Sequence, residues 1–161
     1  RYKKASGPLL KSRLLTAAEV HLIIAEAALM GWTNESAQVH YEAGVQASLK
    51  AWGISRAYDS YILNEGVAYE GTQKQIMEQK WIASWTAAAE SWFDFRRTGL
   101  PALQPGAVVK RDALPLRFYY SIDEMDYNPV NTQSAIDLLE KTAFSAEDGK
   151  NSAWSKMWLL Q

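Results

Sequence analysis

The chain has 161 residues, of which 48% are hydrophobic and 22% charged, a composition of one globular domain that excludes a disordered chain. Seventeen basic residues against eighteen acidic ones leave a net charge of -1, with no run of five like charges, so an electrostatic nucleic-acid binder is excluded as well. Without cysteine there is no disulfide framework or thiolate site, and His21 and His40 stand far apart in sequence with no ligand-spaced neighbour, so neither a metal nor another cofactor is expected.

The chain opens on Arg1-Tyr2-Lys3-Lys4, with no Met and no apolar leader, and reads as a fragment of a longer mature protein whose export signal lies upstream. Thr16-Ala17-Ala18-Glu19 has the form of a capping box and predicts a helix over 17–30, closed by Gly31. Val20, Ile23, Ile24, Ala27 and Ala28 share one face. Leu22, Ala25 and Leu29 widen it, so this helix is expected to be covered on more than one side. A second helix, capped by Thr33 or Asn34, carries Val39, Ala43, Val45, Ala47, Leu49 and Trp52 and stops at Gly53. So short a connection makes the two an antiparallel hairpin, like a tetratricopeptide unit.

Residues 53–71 read as a long loop holding Tyr58, Tyr61 and Tyr69. A third helix is expected from Thr72, boxed by Gln75, to just before Gly99 and Pro101. Met77, Trp81, Trp85, Ala88 and Trp92 would lie on one side of it, and its apolar groups on most faces make it central. Beyond it the prolines at 101, 105, 115 and 129 forbid long elements. One helical turn is expected over 121–126, and a last helix capped by Asn131 and running to about Thr142. Trp154, Met157, Trp158 and Leu159 make a tail that should dock on the body. The longest apolar stretch, Trp81 to Phe95, is too short and too polar to span a bilayer.

Several segments, taken in order, resemble the SusD/RagB family of bacterial surface binding proteins. Arg13-Leu14-Leu15-Thr16-Ala17-Ala18-Glu19-Val20 through Ala25-Glu26-Ala27 is similar to that family's first helix, and Ala51-Trp52-Gly53 to a helix ending. Ile76-Met77-Glu78-Gln79-Lys80-Trp81-Ile82-Ala83 and Glu90-Ser91-Trp92-Phe93-Asp94-Phe95-Arg96-Arg97-Thr98-Gly99 resemble two of its more specific blocks. Arg117, Tyr120, Glu124, Asn128 and Asn131 match a further spaced motif, with Ser121 standing where proline is usual; Lys156-Met157-Trp158 resembles the usual carboxy-terminal pattern. The resemblance runs from about residue 13 to 158 and implies a mainly α protein of tetratricopeptide-like antiparallel helix pairs with long irregular loops. All of 1–161 would be a single carboxy-terminal region of it. It implies lipid anchoring, through an upstream segment, on the outward face of a Bacteroidetes outer membrane, and work with a SusC-like TonB-dependent transporter. The implied cargo is a glycan, with peptide binding or a ligand-free adaptor of the channel as alternatives.

The residues themselves point to binding rather than catalysis. Glu19 with Glu26, and Glu90 with Asp94, sit on single helix faces and do not flank a sugar bond as paired glycosidase carboxylates must. Glu26 and Glu90 are expected to pair with Arg96, Arg97 or Arg13 instead. The Arg96-Arg97 pair reads as a helix end with Gly99 as its left-handed cap, and Trp81, Trp85 and Trp92 as core. The ligand candidates are therefore Tyr58, Tyr61 and Tyr69, whose rings suit the C–H faces of sugars, with Asp59, Asn64 and Glu65 for the hydroxyls.

Overall fold

The computed structural model describes residues 12–109 and 111–161, which form two compact units, one ending at Pro101 and one running from Ala102 to Gln161. Among the described residues there are seven α-helices and no strand, only an isolated antiparallel bridge between Glu140 and Lys156.

The first unit is built on α1 (Ala17–Leu29) and α2 (Ala37–Ala51). Thr16 is extended, and its Oγ1 accepts the Glu19 amide at 3.1 Å, which starts α1 where expected. The start of α2 differs. Ser36, not Thr33 or Asn34, has the extended backbone and accepts the Val39 amide, while Thr33 takes the Glu35 amide inside the turn. The helices run antiparallel: Ala18 and Leu22 lie against Gly44, and His21 meets His40. Gly44 permits that approach, since a β-carbon there would stand 2.7 Å from Leu22 Cγ and 3.2 Å from the Ala18 carbonyl oxygen. Ala18, Leu22 and Ala25 of α1, Tyr41 and Val45 of α2, and Ile76, Met77 and Ala83 of α4 (Gln73–Ala83) make the core.

The single third helix is not formed. The chain leaves α4 at Ser84 and resumes as α5 (Ala88–Thr98), with the Ala87 amide donating to the Ser84 carbonyl. Ser84 and Thr86 are weak helix formers, so propensity does little to hold the helix together across this point. The aromatic stripe is thereby divided. Met77 is buried, but Trp81 and Trp85 are 45% and 62% exposed, so these two are not core as the spacing suggested.

The segment after α2 is more ordered than a plain loop. A 3-10 turn (Ser55–Ala57) leads into the one-turn helix α3 (Tyr58–Tyr61), and turns follow. Gln75 holds these turns from below. Its backbone amide satisfies Thr72, but its buried side chain, instead of completing a capping box, donates to the carbonyls of Gly66 and Ala68 and accepts the Glu70 amide.

In the second unit, α6 (Ile122–Tyr127) is capped by Ser121, whose Oγ accepts the Glu124 amide. The last helix begins earlier than Asn131 and ends sooner than Thr142: α7 (Pro129–Asp137) has Asn128 at its cap and Pro129 in its first turn, where the missing N–H costs nothing. Asn128 donates to Glu124 Oε1 and Asn131 donates to Asn128 Oδ1, so these three side chains form a chain along both helices. Asn151 clasps Tyr120, accepting its amide and donating to its carbonyl, and also accepts from the buried Arg117. The tail docks in part. Trp154 donates to the Ala113 carbonyl under the Arg111 guanidinium, and Lys156 pairs with Glu140, whereas Trp158 stays exposed.

Candidate functional site

Of the acidic and basic residues that could have carried chemistry, Glu26, Asp94 and Arg97 join Lys80 in an ion network in the first unit. Arg97 on α5 donates to both carboxylate oxygens of Glu26 on α1, each at 2.8 Å, and to Asp94 Oδ1 at 3.0 Å. Asp94 Oδ2 in turn lies 2.7 Å from the ammonium of buried Lys80 on α4. Gln73 donates a further hydrogen bond to Glu26 at 2.9 Å.

Burial alone would push the Glu26 carboxyl up, but the hydrogen bonds from Arg97 and Gln73, with the charges of Arg97 and Lys80, outweigh it and hold it below its ordinary value. All four carboxylate oxygens of Glu26 and Asp94 are engaged, three of them by side chains on another helix and Asp94 Oδ1 by Arg97 of its own, which makes the network a clamp on α1, α4 and α5. Arg96 lies over the Trp92 ring, and Gly99 takes the left-handed cap at φ 72°, as the sequence indicated.

The tyrosine segment is the other candidate. Tyr58, Tyr61 and Tyr69 are all half-buried and pack against the core. Tyr61 donates to Gln79 Oε1 at 3.3 Å, and the Tyr69 ring tilts against Tyr41 at 5.3 Å between centroids. Tyr41, which the sequence reading passed over, is the pivot: fully buried, it donates to the Val67 carbonyl at 2.7 Å and so ties the segment to α2. Desolvation in this position, with several anionic groups around it, raises its hydroxyl pKa well above the usual tyrosine value. Burial first, then Glu42 and Asp59, push Tyr58 up in the same way. Asp59, Asn64 and Glu65 are exposed on the same segment. One edge of each tyrosine is thus structural, and the polar companions face solvent beside them.

The two histidines, far apart in sequence, meet across the hairpin with Nδ1 to Nδ1 at 3.0 Å. Their centroids are 5.3 Å apart, close to the greatest separation such a contact permits, so the two ring nitrogens point nearly straight at each other. One ring must donate and the other accept. Glu35 Oε2, 3.5 Å from His40 Nε2, favours a proton there and leaves His40 Nδ1 as the acceptor. No group of three or more His, Asp or Glu side chains among the described residues is placed to hold a metal ion, and no helix among them is long and apolar enough to cross a membrane.

Comparison with known proteins places the chain. Residues 1–121 match the SusD-like family described as starch-binding and associating with the outer membrane. Comparison with curated proteins gave no match. Among solved structures, a SusD-like protein of Bacteroidetes AC2a is 30% identical with a TM-score of 0.78, covering 97% of this chain and 32% of its own. A chitin-binding protein is also 30% identical, with a TM-score of 0.70 over 88% of this chain and 32% of its own. A SusD homologue from Bacteroides vulgatus is 27% identical, with a TM-score of 0.65 over 91% and 35%. The chain therefore spans about a third of the length of the structures it matches. The family match over residues 1–121 and the likeness to these solved structures agree: this chain belongs to the SusD-like family, described as starch-binding and associating with the outer membrane.

Proposed function

We propose that the protein containing this chain binds a glycan at the outward face of the outer membrane, where a lipid anchor holds it, and passes the glycan to a SusC-like TonB-dependent transporter without altering it. The family match over residues 1–121, whose description joins starch binding to the outer membrane, carries this reading. The likeness to a chitin-binding protein supports a saccharide cargo. The ion clamp supports binding over catalysis, because its carboxylates are already engaged by Arg97, Gln73 and Lys80.

Within this chain we assign glycan contact to the tyrosine segment: the open edges of Tyr58, Tyr61 and Tyr69 for C–H faces, with Asp59 and Asn64 for ring hydroxyls. Titration calorimetry of the purified protein with starch-type and chitin-type oligosaccharides tests the function. Binding to one class supports it. Binding of peptides but of no saccharide would replace it. Asp59→Ala and Asn64→Ala sit on exposed positions and should weaken binding with thermal stability kept; unchanged affinity would remove the segment from the site.

A further inference from the structure

His21 and His40 are 19 positions apart in the chain, and folding sets them face to face between α1 and α2. Their distance in sequence counted against a metal; folding removes that distance. The helices come this close because Gly44, one turn beyond His40 on the same face of α2, has no side chain to hold them apart. Both rings are half-buried, with the His40 side chain only 17% exposed.

Imidazole nitrogens are the commonest metal ligands of proteins, and the spacing of this pair suits one ion. At the usual zinc–nitrogen distance of about 2.0–2.1 Å and a tetrahedral angle, two ligating imidazoles stand with nitrogens about 3.3 Å and ring centroids about 5.2 Å apart. Here the Nδ1 atoms are 3.0 Å and the centroids 5.3 Å apart. The rings already have the right separation. Each has to pivot in place, by roughly 35°, to aim its nitrogen at a shared ion instead of at the other ring. Glu35 adds a second element of such a site. Its Oε2 lies 3.5 Å from His40 Nε2, and a carboxylate behind the far nitrogen fixes a ligating histidine in the tautomer that leaves Nδ1 free.

We propose that His21 and His40 form a two-histidine site for a divalent first-row transition ion, which ties α1 to α2 across the hairpin. On binding, the His21 proton moves from Nδ1 to Nε2, so both rings bind neutral and no proton is released. Two protein ligands leave the other positions of the ion to water. With imidazole donors, copper(II) should bind more tightly than nickel(II) or zinc(II). The site is independent of the glycan reading, so the two can fail separately.

Thermal unfolding of the whole protein containing this chain, stripped with chelator and then given zinc chloride or nickel chloride alone, tests it. The melting temperature should rise by a few degrees as the ion goes from micromolar to millimolar, and His21→Asn and His40→Asn should each lose that rise. Copper(II) at one equivalent should show the superhyperfine splitting of two imidazole nitrogens in its electron paramagnetic resonance spectrum. Should either variant fail to fold, the unaltered protein still decides, because zinc(II) should protect His21 and His40 together from carbethoxylation, read by peptide mass spectrometry. No rise with either ion, a rise that both variants keep in full, or modification of the two histidines undiminished by zinc(II) would each overturn the proposal.

Discussion

Gly44→Ala sets two opposed effects against each other. Within a helix, alanine is favoured over glycine by about 0.8–1.0 kcal/mol, so propensity alone makes this variant more stable. At this position the new methyl carbon would stand 2.7 Å from Leu22 Cγ, 3.0 Å from its Cδ2 and 3.2 Å from the Ala18 carbonyl oxygen. Leu22 is fully buried, Cγ is the branch point and not a free end, and the carbonyl belongs to the backbone of α1. Overpacking of this kind costs about 1–3 kcal/mol. The net expectation is a loss of about 1 kcal/mol, or about 2–4 °C in melting temperature for a chain of this size. Urea and thermal unfolding followed by circular dichroism will read it. Leu22→Ala alone should cost about 2–5 kcal/mol by opening a cavity. The double variant should cost less than the sum of the two, because the alanine methyl enters that cavity. A stabilised Gly44→Ala with strictly additive behaviour would refute the close approach of the two helices.

The ion clamp yields a pH dependence. Glu26 is held below its ordinary value of 4.5 in the folded protein, so its contribution is fully present above that pH and is lost as the pH falls through the lower folded value. Acid unfolding curves should show this loss below pH 4.5, and Glu26→Gln should flatten that limb. Arg97→Met should destabilise by about 2 kcal/mol, less than the 3–5 of a fully buried pair, because Arg97 is nearly half exposed. Arg97→Lys, keeping the charge but not the two-point contact, should recover only part of the loss in chemical denaturation. For the histidine pair, nitrogen-detected NMR at pH 7.5 should find His40 protonated at Nε2 and His21 at Nδ1; the reverse assignment would remove Glu35 from its role.

The hairpin was legible because its signals are local. A capping threonine, a periodic apolar face and a terminal glycine specify α1 with little help from elsewhere. The pairing of Glu26 with an arginine was also legible, since a carboxylate on the apolar side of a helix needs a cation. The break at Ser84–Ala87 was not, because the apolar spacing continues through it: four-residue steps from Met77 to Trp85 look the same whether or not the backbone turns between them. What the break brings about is tertiary. It lets α5 present Asp94 to Lys80 and Arg97 to Glu26, partners that lie 14 and 71 residues away in sequence. The role of Gln75 was misread for a similar reason. In a capping box Gln75 Oε1 would accept the Thr72 amide, but the Glu70 amide takes that oxygen, and the carbonyls of Gly66 and Ala68 accept from the side-chain N–H groups. The tyrosine segment was found by composition, but composition does not tell which edge of a ring faces the core; Tyr41, the residue that decides this, lies in the preceding helix.

Because the clamp fastens three helices through side chains outside residues 53–71, changes at the solvent-facing positions of that stretch, such as Asp59, Asn64 and Glu65, leave it intact. The stretch is held partly by main-chain carbonyls and an amide offered to Gln75 and Tyr41, which any residue type but proline at the donor position can supply, and partly by the inward edges of Tyr61 and Tyr69, which meet Gln79 and Tyr41. A scaffold anchored on charges, with its surface turns tied down by main-chain atoms and the inward edges of a few rings, can exchange the side chains those turns show to solvent in place, with no need to refold around them.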